Sequence, residues 1–329
     1  MNDTPKRAAR IALQGSDTIY ALDGGIPEVD LADTELLVGA DCPAVADRSR
    51  TQFLIPVWND LLSLILCLPT VLEVAEHVVI YDDGSDDGSS EFVEELRATS
   101  AGAGIVHISG RRQQGWTQSR KVLAERSDPA MTRVWADSDD LIISELWPRF
   151  TDRLNAAGCL PLGLYEVWGD LSHTTHWAGR GDPCHVAFAP GDNRLERWDR
   201  KDGCTIPVYR EPGEPTAVGP LCAFHLNGFK VDERLAYKGR RLQRFNTPEH
   251  SGELERLAPE EARAAADRIL FRNRFHRPAP MPSALRAYLE SKVPEELRFV
   301  VTDGGREGSD EVAAALRELR DGGFPNVRR

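Results

Sequence analysis

Short apolar runs alternate with segments of helical periodicity between residues 52 and 136, and this alternation limits the fold more than any other feature of the chain. We predict strands at 53–58, 78–81, 105–108 and 133–136. Between them we predict three helices: one that ends near residue 68, one at 91–99 and one at 118–126. Strands of this length with helices between them form right-handed βαβ units. The sequence therefore predicts an α/β fold with a mostly parallel sheet flanked by helices.

The segments on either side of this alternation have other patterns. Residues 1–50 lack sustained periodicity and are predicted to form an N-terminal arm with strands around 18–21 and 36–38. Between residues 146 and 220, Gly, Pro, Trp and His become frequent, which favours loops that recognise a substrate. We expect three parts: the arm, a main domain at 51–250 and a C-terminal appendage at 251–329.

The C-terminal appendage is predicted to be helical. Pro259 begins a helical run that extends to about residue 275, with acidic residues in its first turn. Pro282 begins a second helix, 297–301 is predicted to be a strand, and 309–320 is a further helix.

Composition excludes several classes of protein. The chain has 329 residues, of which 41% are hydrophobic and 28% charged, as in ordinary globular proteins. Its formal net charge of -12 disfavours a surface for nucleic acid or anionic membranes. The six cysteines lack the Cys-x-x-Cys spacing and indicate reduced thiols in a cytoplasmic protein. The apolar run at 61–72 is too short to span a membrane, and no signal peptide is recognised at the start.

Two acidic clusters follow predicted strands. Asp82 and Asp83 follow the second strand, and Asp137, Asp139 and Asp140 follow the fourth. In a parallel sheet ligands bind beyond the carboxyl ends of the strands, where both clusters fall. Carboxylates this close repel one another unless a cation lies among them, and oxygen ligands favour Mg²⁺, Mn²⁺ or Ca²⁺. The alternative is a solvated acidic turn.

Four segments in this order resemble the signature of family-2 glycosyltransferases with the GT-A fold. They are Phe53-Leu-Ile-Pro-Val-Trp-Asn-Asp60, Val79-Ile-Tyr-Asp-Asp-Gly-Ser-Asp-Asp-Gly88, Arg120, and Trp135-Ala-Asp-Ser-Asp-Asp140. The resemblance implies a GT-A domain that moves a sugar from a nucleotide-sugar, most simply a UDP-sugar, to an acceptor hydroxyl. It also implies a divalent cation, Mn²⁺ or Mg²⁺, at the acidic turn formed by Asp137, Asp139 and Asp140.

The resemblance assigns part of the chain to the nucleotide. Asp83 is expected to accept hydrogen bonds from a uracil ring, with Pro56 at the opposite wall of the base pocket. For Asp82, capping of the next helix is as good an interpretation as base contact. Arg120 is expected to reach the base or the diphosphate, or else to lie on a solvated helix face. Lys121 departs from the asparagine that usually follows this arginine in the family.

The resemblance also assigns the metal site. Asp139 is expected to ligate the cation, Asp137 to contact the ribose or the ion, and Asp140 to share the ligand role. The cation would stabilise the negative charge that develops on the leaving diphosphate. His250 resembles a histidine that some GT-A enzymes bring to the metal from a downstream segment, although a structural or solvated histidine is the alternative.

The catalytic base is the weakest part of the resemblance. Inverting members place an acidic pair after a segment similar to 227–233, but this chain has Lys238-Gly-Arg-Arg241 there. Asp232 and Glu233 remain candidates for the base that deprotonates the acceptor, against the alternative of a surface turn. The departure also leaves a retaining mechanism open.

Two other functions stay open. The first is sugar-phosphate nucleotidyl transfer, although 53–60 lacks the glycine-rich, basic loop that usually holds a triphosphate. The second is a non-catalytic relative that binds a nucleotide-sugar without turnover. The sequence does not distinguish a saccharide, a lipid or a protein as the acceptor.

Overall fold

The computed structural model describes the parts of the chain that form two main sheets and the helices beside them. The described residues are 8–12, 18–22, 48–110, 114–168, 170–174, 184–201, 204–210, 215, 219–228, 279–281 and 283–293. The strands are β1 (Ala8–Ala12), β2 (Thr18–Leu22), β3 (Thr51–Val57), β4 (His77–Asp82), β5 (Ile105–Ser109), β6 (Thr132–Trp135), β7 (Asp140–Ile142), β8 (Cys159–Pro161), β9 (Gly163–Trp168), β10 (Asp170–Thr174), β11 (Val186–Phe188), β12 (Leu195–Lys201), β13 (Cys204–Tyr209), β14 (Leu221–Gly228) and β15 (Ala279–Pro280). The helices are α1 (Leu61–Val74), α2 (Ser89–Arg97), α3 (Trp116–Glu125), α4 (Trp147–Ala157) and α5 (Ser283–Lys292), and a 3-10 helix spans Arg48–Arg50.

The first main sheet has six strands in the order β5-β4-β3-β6-β11-β8. The pairs β5-β4, β4-β3 and β3-β6 are parallel, whereas β11 runs antiparallel to both β6 and β8. This topology confirms the predicted α/β class with a mostly parallel sheet. All seven residues of β3 are buried, as expected for a central strand with helices on both faces.

Helix α1 is longer than the sequence indicated. We expected it to end near Leu68, yet it continues through Pro69 to Val74. Two hydrogen bonds of the Thr70 hydroxyl support the turn that proline interrupts: it donates to the Cys67 carbonyl and accepts from the Ile142 amide. The apolar packing of α1 thus outweighs the local cost of the proline.

The second main sheet has five strands in the order β15-β10-β9-β14-β7. Strand β7 begins at Asp140, the last residue of the acidic turn, and β14 pairs with β7 in an antiparallel direction. Much of this sheet and the β12-β13 hairpin lie between residues 146 and 220, where we expected loops, so that expectation was wrong. The register shifts in β9, β10 and β12 explain why no regular alternation is visible in the sequence.

The outer parts of the chain confirm some predictions and leave others untested. Strand β2 confirms the strand predicted at 18–21, and α5 confirms the helix predicted from Pro282. The strands predicted at 36–38 and 297–301 and the helices at 259–275 and 309–320 lie outside the described residues. Among the described helices, none is both long and apolar enough to cross a membrane.

Candidate active site

The acidic turns meet at the carboxyl ends of the parallel strands. The Asp83 amide donates to the Val57 carbonyl at 2.9 Å, which joins the turn after β4 to the end of β3. The Ser138 hydroxyl donates to the Asp60 carboxylate, which joins the turn after β6 to the same place. Asp60 makes no side-chain cap on α1, and the Asp87 carboxylate accepts from the first amide of that helix instead.

Asp83 anchors the chain that leads into α3. The carboxylate accepts from the Gln114 amide through both oxygens at 2.8 Å and from the Gly115 amide at 2.7 Å. Asp83 is 1% exposed. A carboxylate held by main-chain donors has a fixed direction. Pro56 is buried in β3, one strand away, where its register partner is Tyr81.

Asp82 shapes the turn beside it. Its carboxylate accepts from the Gly84 amide at 3.1 Å and the Ser85 amide at 2.8 Å. Burial alone would raise its pKa, but the nearby His107 ring and hydrogen bonds from Ser85 and Ser90 outweigh burial and lower the pKa to about 2. Asp82 therefore orders the Gly-Ser turn, whereas Asp87 accepts from the first amide of α2, so the capping interpretation was wrong and base contact stays a prediction.

Arg120 is one of the most deeply buried charged residues of the site, at 0% exposure. Its guanidinium lies 4.8 Å from the ring centre of Trp198 and 5.9 Å from that of Trp135. One of its nitrogens donates to an Asp137 oxygen at 2.5 Å. The alternative that Arg120 lies on a solvated helix face was therefore wrong. Arg120 positions Asp137, and its predicted contact with the donor stays a prediction.

The acidic turn after β6 is buried rather than solvated. Asp137 is 9% exposed, Asp139 is 1% exposed and Asp140 is 0% exposed. The Asp137 amide donates to the Asp140 carboxylate at 2.8 Å, and the Leu226 amide donates to the Asp139 carbonyl at 2.8 Å. The backbone thus holds three carboxylates at one strand end, and the alternative of a solvated acidic turn is wrong.

Two histidines that the sequence reasoning missed lie against these carboxylates. His185 Nε2 is 3.3 Å from an oxygen of Asp137 and 3.3 Å from an oxygen of Asp140. His225 Nδ1 is 2.8 Å from an oxygen of Asp140 and 3.7 Å from an oxygen of Asp139. In the sequence, each adjoins a short apolar run, Val186–Phe188 or 221–224, and this is the signal that could have marked them.

The electrostatics of the cluster follow from these contacts. Burial would lower the pKa of His225, but the charges of Asp139 and Asp140 outweigh it and raise that pKa. Burial would raise the pKa of Asp137, but His185 and Arg120 outweigh it and lower that pKa. Asp137 is therefore held in its charged form by the neighbouring Arg120 and His185.

The structure leaves three predicted site residues undescribed. Asp232, Glu233 and His250 fall outside the described residues, so their roles stay predictions. The structure brings together Asp83, Arg120 and the acidic turn, in the part of the site predicted to bind the donor.

A mostly parallel α/β sheet with a buried acidic turn at its carboxyl edge is the arrangement that the motifs implied. Residues 53–209 match the family model described as Glycosyl transferase family 2. This match confirms the resemblance to family 2 glycosyltransferases that is seen in the motifs. No curated protein sequence matches the chain.

Several solved structures are similar to the chain at low identity. The mannosyltransferase PcManGT from Pyrobaculum calidifontis, in complex with GDP-Man and Mn²⁺, is 13% identical to this chain with a TM-score of 0.40. The match covers 79% of this chain and 91% of the PcManGT chain. S. aureus TarS 1-349 in complex with UDP-GlcNAc is 12% identical with a TM-score of 0.38, covering 83% and 92%. GalNAc-T7 with UDP, GalNAc and Mn²⁺ is 12% identical with a TM-score of 0.32, covering 50% and 30%.

Proposed function

We propose that this protein transfers a sugar from a nucleotide-sugar, a UDP-sugar in particular, to the hydroxyl of an acceptor, with the help of Mn²⁺ or Mg²⁺. The observation that carries the proposal is the burial of Asp137, Asp139 and Asp140 at the carboxyl end of β6. This is the edge of a parallel sheet where ligands bind. The acceptor is a saccharide, a lipid or a protein.

The charge of the acidic turn fits a divalent cation. The three buried carboxylates have one permanently charged partner, the guanidinium of Arg120, beside two histidines whose imidazoles can be neutral, and buried charges need partners. We assign Asp139 and Asp140 as the carboxylate ligands, with Asp137 beside them and His250 as a further candidate. When bound, the cation would stabilise the diphosphate that leaves the sugar.

The neighbouring turn suits the nucleotide base. Asp83 is a charged acceptor with a fixed direction, and the imide N–H of uracil is a donor of matching chemistry. The Gln114 and Gly115 amides donate to Asp83 in either case, but a base without that donor leaves the side of the carboxylate that faces the base without a hydrogen bond, which costs affinity. Pro56 would form the opposite wall of this pocket, and Asp137 would contact the ribose.

In the reaction, the bond between the anomeric carbon and the diphosphate oxygen breaks while the acceptor oxygen bonds to that carbon. The nucleoside diphosphate keeps the electron pair of the broken bond. The acceptor proton passes to a base, for which Asp232 and Glu233 are the candidates. A retaining course, with the proton taken by the leaving phosphate, is the alternative to be tested.

The test is release of nucleoside diphosphate from purified protein given UDP-sugars or GDP-sugars, with Mn²⁺, with Mg²⁺ or with EDTA. We expect release from UDP-sugars that requires the cation. Asp232→Asn and Glu233→Gln are compared with Glu95→Gln, an exposed residue on α2 that should leave the rate unchanged. Tight UDP binding without release in the presence of any acceptor would show a non-catalytic relative. Pyrophosphate release from UTP and a sugar phosphate would show nucleotidyl transfer.

A further inference from the structure

We infer that His185, His225 and Asp140 form a binding site for a first-row transition-metal ion. The cation of the active site would then take two imidazole nitrogens as ligands, in addition to carboxylate oxygens. This inference rests on the proposed function only for the use of the ion in catalysis. Binding of the ion itself can be measured on the protein without a nucleotide.

The geometry of the three side chains suits one ion. Each offers one ligand atom, and these atoms all lie within 4.8 Å of one another. Donor atoms that are each about 2.0–2.2 Å from a shared ion lie about 3–4 Å apart, so only a small adjustment is needed. The centres of the His185 and His225 rings are 5.0 Å apart, and the rings meet edge to face. His185 Nε2 and His225 Nδ1 both lie beside the Asp140 carboxylate.

The backbone holds these ligands in place. His225 is the register partner of Asp140 in the β14-β7 pair. Asp140 also accepts from the Asp137 amide, which fixes its carboxylate. His185 directly precedes β11, and its carbonyl accepts from the Leu162 amide at 2.8 Å. The three ligands thus come from three separate elements that sheet pairing brings together, and a site held this way needs little ordering when it binds an ion.

The imidazoles decide which ion is favoured. Carboxylate and water sites suit Mg²⁺ and Ca²⁺, whereas imidazole suits Zn²⁺, Fe²⁺ and Ni²⁺. A site with two nitrogens and one carboxylate should follow the general order of affinity Mn²⁺ < Co²⁺ < Zn²⁺, with Mg²⁺ weakest. Asp137 lies 3.3 Å from His185, and Asp139 lies 3.7 Å from His225. Both carboxylates add negative charge that favours any dication.

The experiment is calorimetric titration of the full chain, freed of metal by a chelator and without nucleotide, with Mg²⁺, Mn²⁺, Co²⁺ or Zn²⁺. We expect one ion per chain at this site and at least tenfold weaker binding of Mg²⁺ than of Co²⁺. His185→Ala, His225→Gln and Asp140→Asn should each weaken Co²⁺ binding at least tenfold. His77→Ala, which alters an exposed histidine on β4, is the matched control.

Unchanged Co²⁺ affinity in both histidine variants, or Mg²⁺ binding as tight as Co²⁺ binding, would overturn the inference. The visible and paramagnetic NMR spectra of the Co²⁺-loaded wild-type protein report imidazole ligands directly, so they decide the matter if a variant does not fold. Metal binding without release of nucleoside diphosphate would contradict the proposed function alone. Cation-dependent release that survives both histidine changes would contradict this inference alone.

Discussion

Arg120 and Asp137 form an ion pair that is almost wholly inside the protein. The atoms are 2.5 Å apart, and the two side chains are 1% and 11% exposed. Because Asp137 belongs to the acidic turn and Arg120 lies against the rings of Trp135 and Trp198, the pair connects the predicted donor site to the β12-β13 hairpin. The hairpin therefore has a structural role in the site, whatever else it contacts.

Loss of the guanidinium should strongly destabilise the protein. Arg120→Met leaves Asp137 without its cationic partner, and breaking a buried pair on one side costs about 3–5 kcal/mol. Arg97→Met is the control, because Arg97 and Glu94 form an exposed pair worth at most about 1 kcal/mol. Urea denaturation measures both free energies of unfolding. Similar losses in the two variants would show that burial of Arg120 has no energetic consequence.

Trp198 should support the same arginine. Its ring is 1% exposed, and its centre lies 4.9 Å from that of Trp135. Trp198→Ala should cost about 3–5 kcal/mol through the cavity it leaves, and Trp198→Phe clearly less. In a double-mutant cycle with Arg120→Met the two losses should not be additive, with a coupling of about 0.5–3 kcal/mol. Simple additivity would mean that the stacking does not hold the guanidinium.

Asp83→Asn should weaken uridine nucleotides more than sugar phosphates. The carboxamide places an N–H group where the carboxylate accepts from the Gln114 and Gly115 amides, and one mispaired buried group costs about 1–3 kcal/mol. Asp86→Asn, on the exposed part of the same turn, is the control. Calorimetric affinities for UDP and for a sugar phosphate make the comparison. Equal losses for both ligands would place the base pocket elsewhere.

His107 should make the stability of the protein depend on pH. Its Nδ1 lies 2.6 Å from Glu94, which also pairs with Arg97, and its Nε2 lies 3.9 Å from Asp82. Proximity to the Asp82 carboxylate is the main cause that raises the pKa of His107, followed by the hydrogen bond to Glu94, and together they outweigh burial. Because the folded pKa exceeds the unfolded value of 6.5, the stabilisation is complete below that value and is lost as pH rises through the folded pKa.

Urea denaturation of the wild-type protein and of His107→Gln between about pH 5.5 and pH 8.5 tests this dependence. The wild-type free energy of unfolding should fall as pH rises, and the decrease should be smaller in the variant. His77→Gln, which alters an exposed histidine of the neighbouring strand, should keep the wild-type slope. Parallel curves for the wild type and His107→Gln would contradict the assignment.

The sequence predicted the parts of the site that depend on local pattern. Strands β3, β4 and β6 follow from their apolar runs, and the acidic turns directly after β4 and β6 are placed by chain continuity alone. The burial of Arg120 could not be predicted, because Trp198 comes from a distant hairpin. His185 and His225 were missed for the same reason, since only the pairing of β11 with β6 and of β14 with β7 brings them to the acidic turn.

The affinity of UDP for the wild-type protein and for Asp139→Ala, measured by calorimetry in Mn²⁺ and again in EDTA, tests the central claim most directly. In the wild type, we expect EDTA to weaken UDP binding strongly, because the diphosphate loses the cation that joins it to the acidic turn. In Asp139→Ala, binding should already be weak and should no longer respond to EDTA. Equal UDP affinity in Mn²⁺ and EDTA in the wild type would contradict a metal and diphosphate site at this turn.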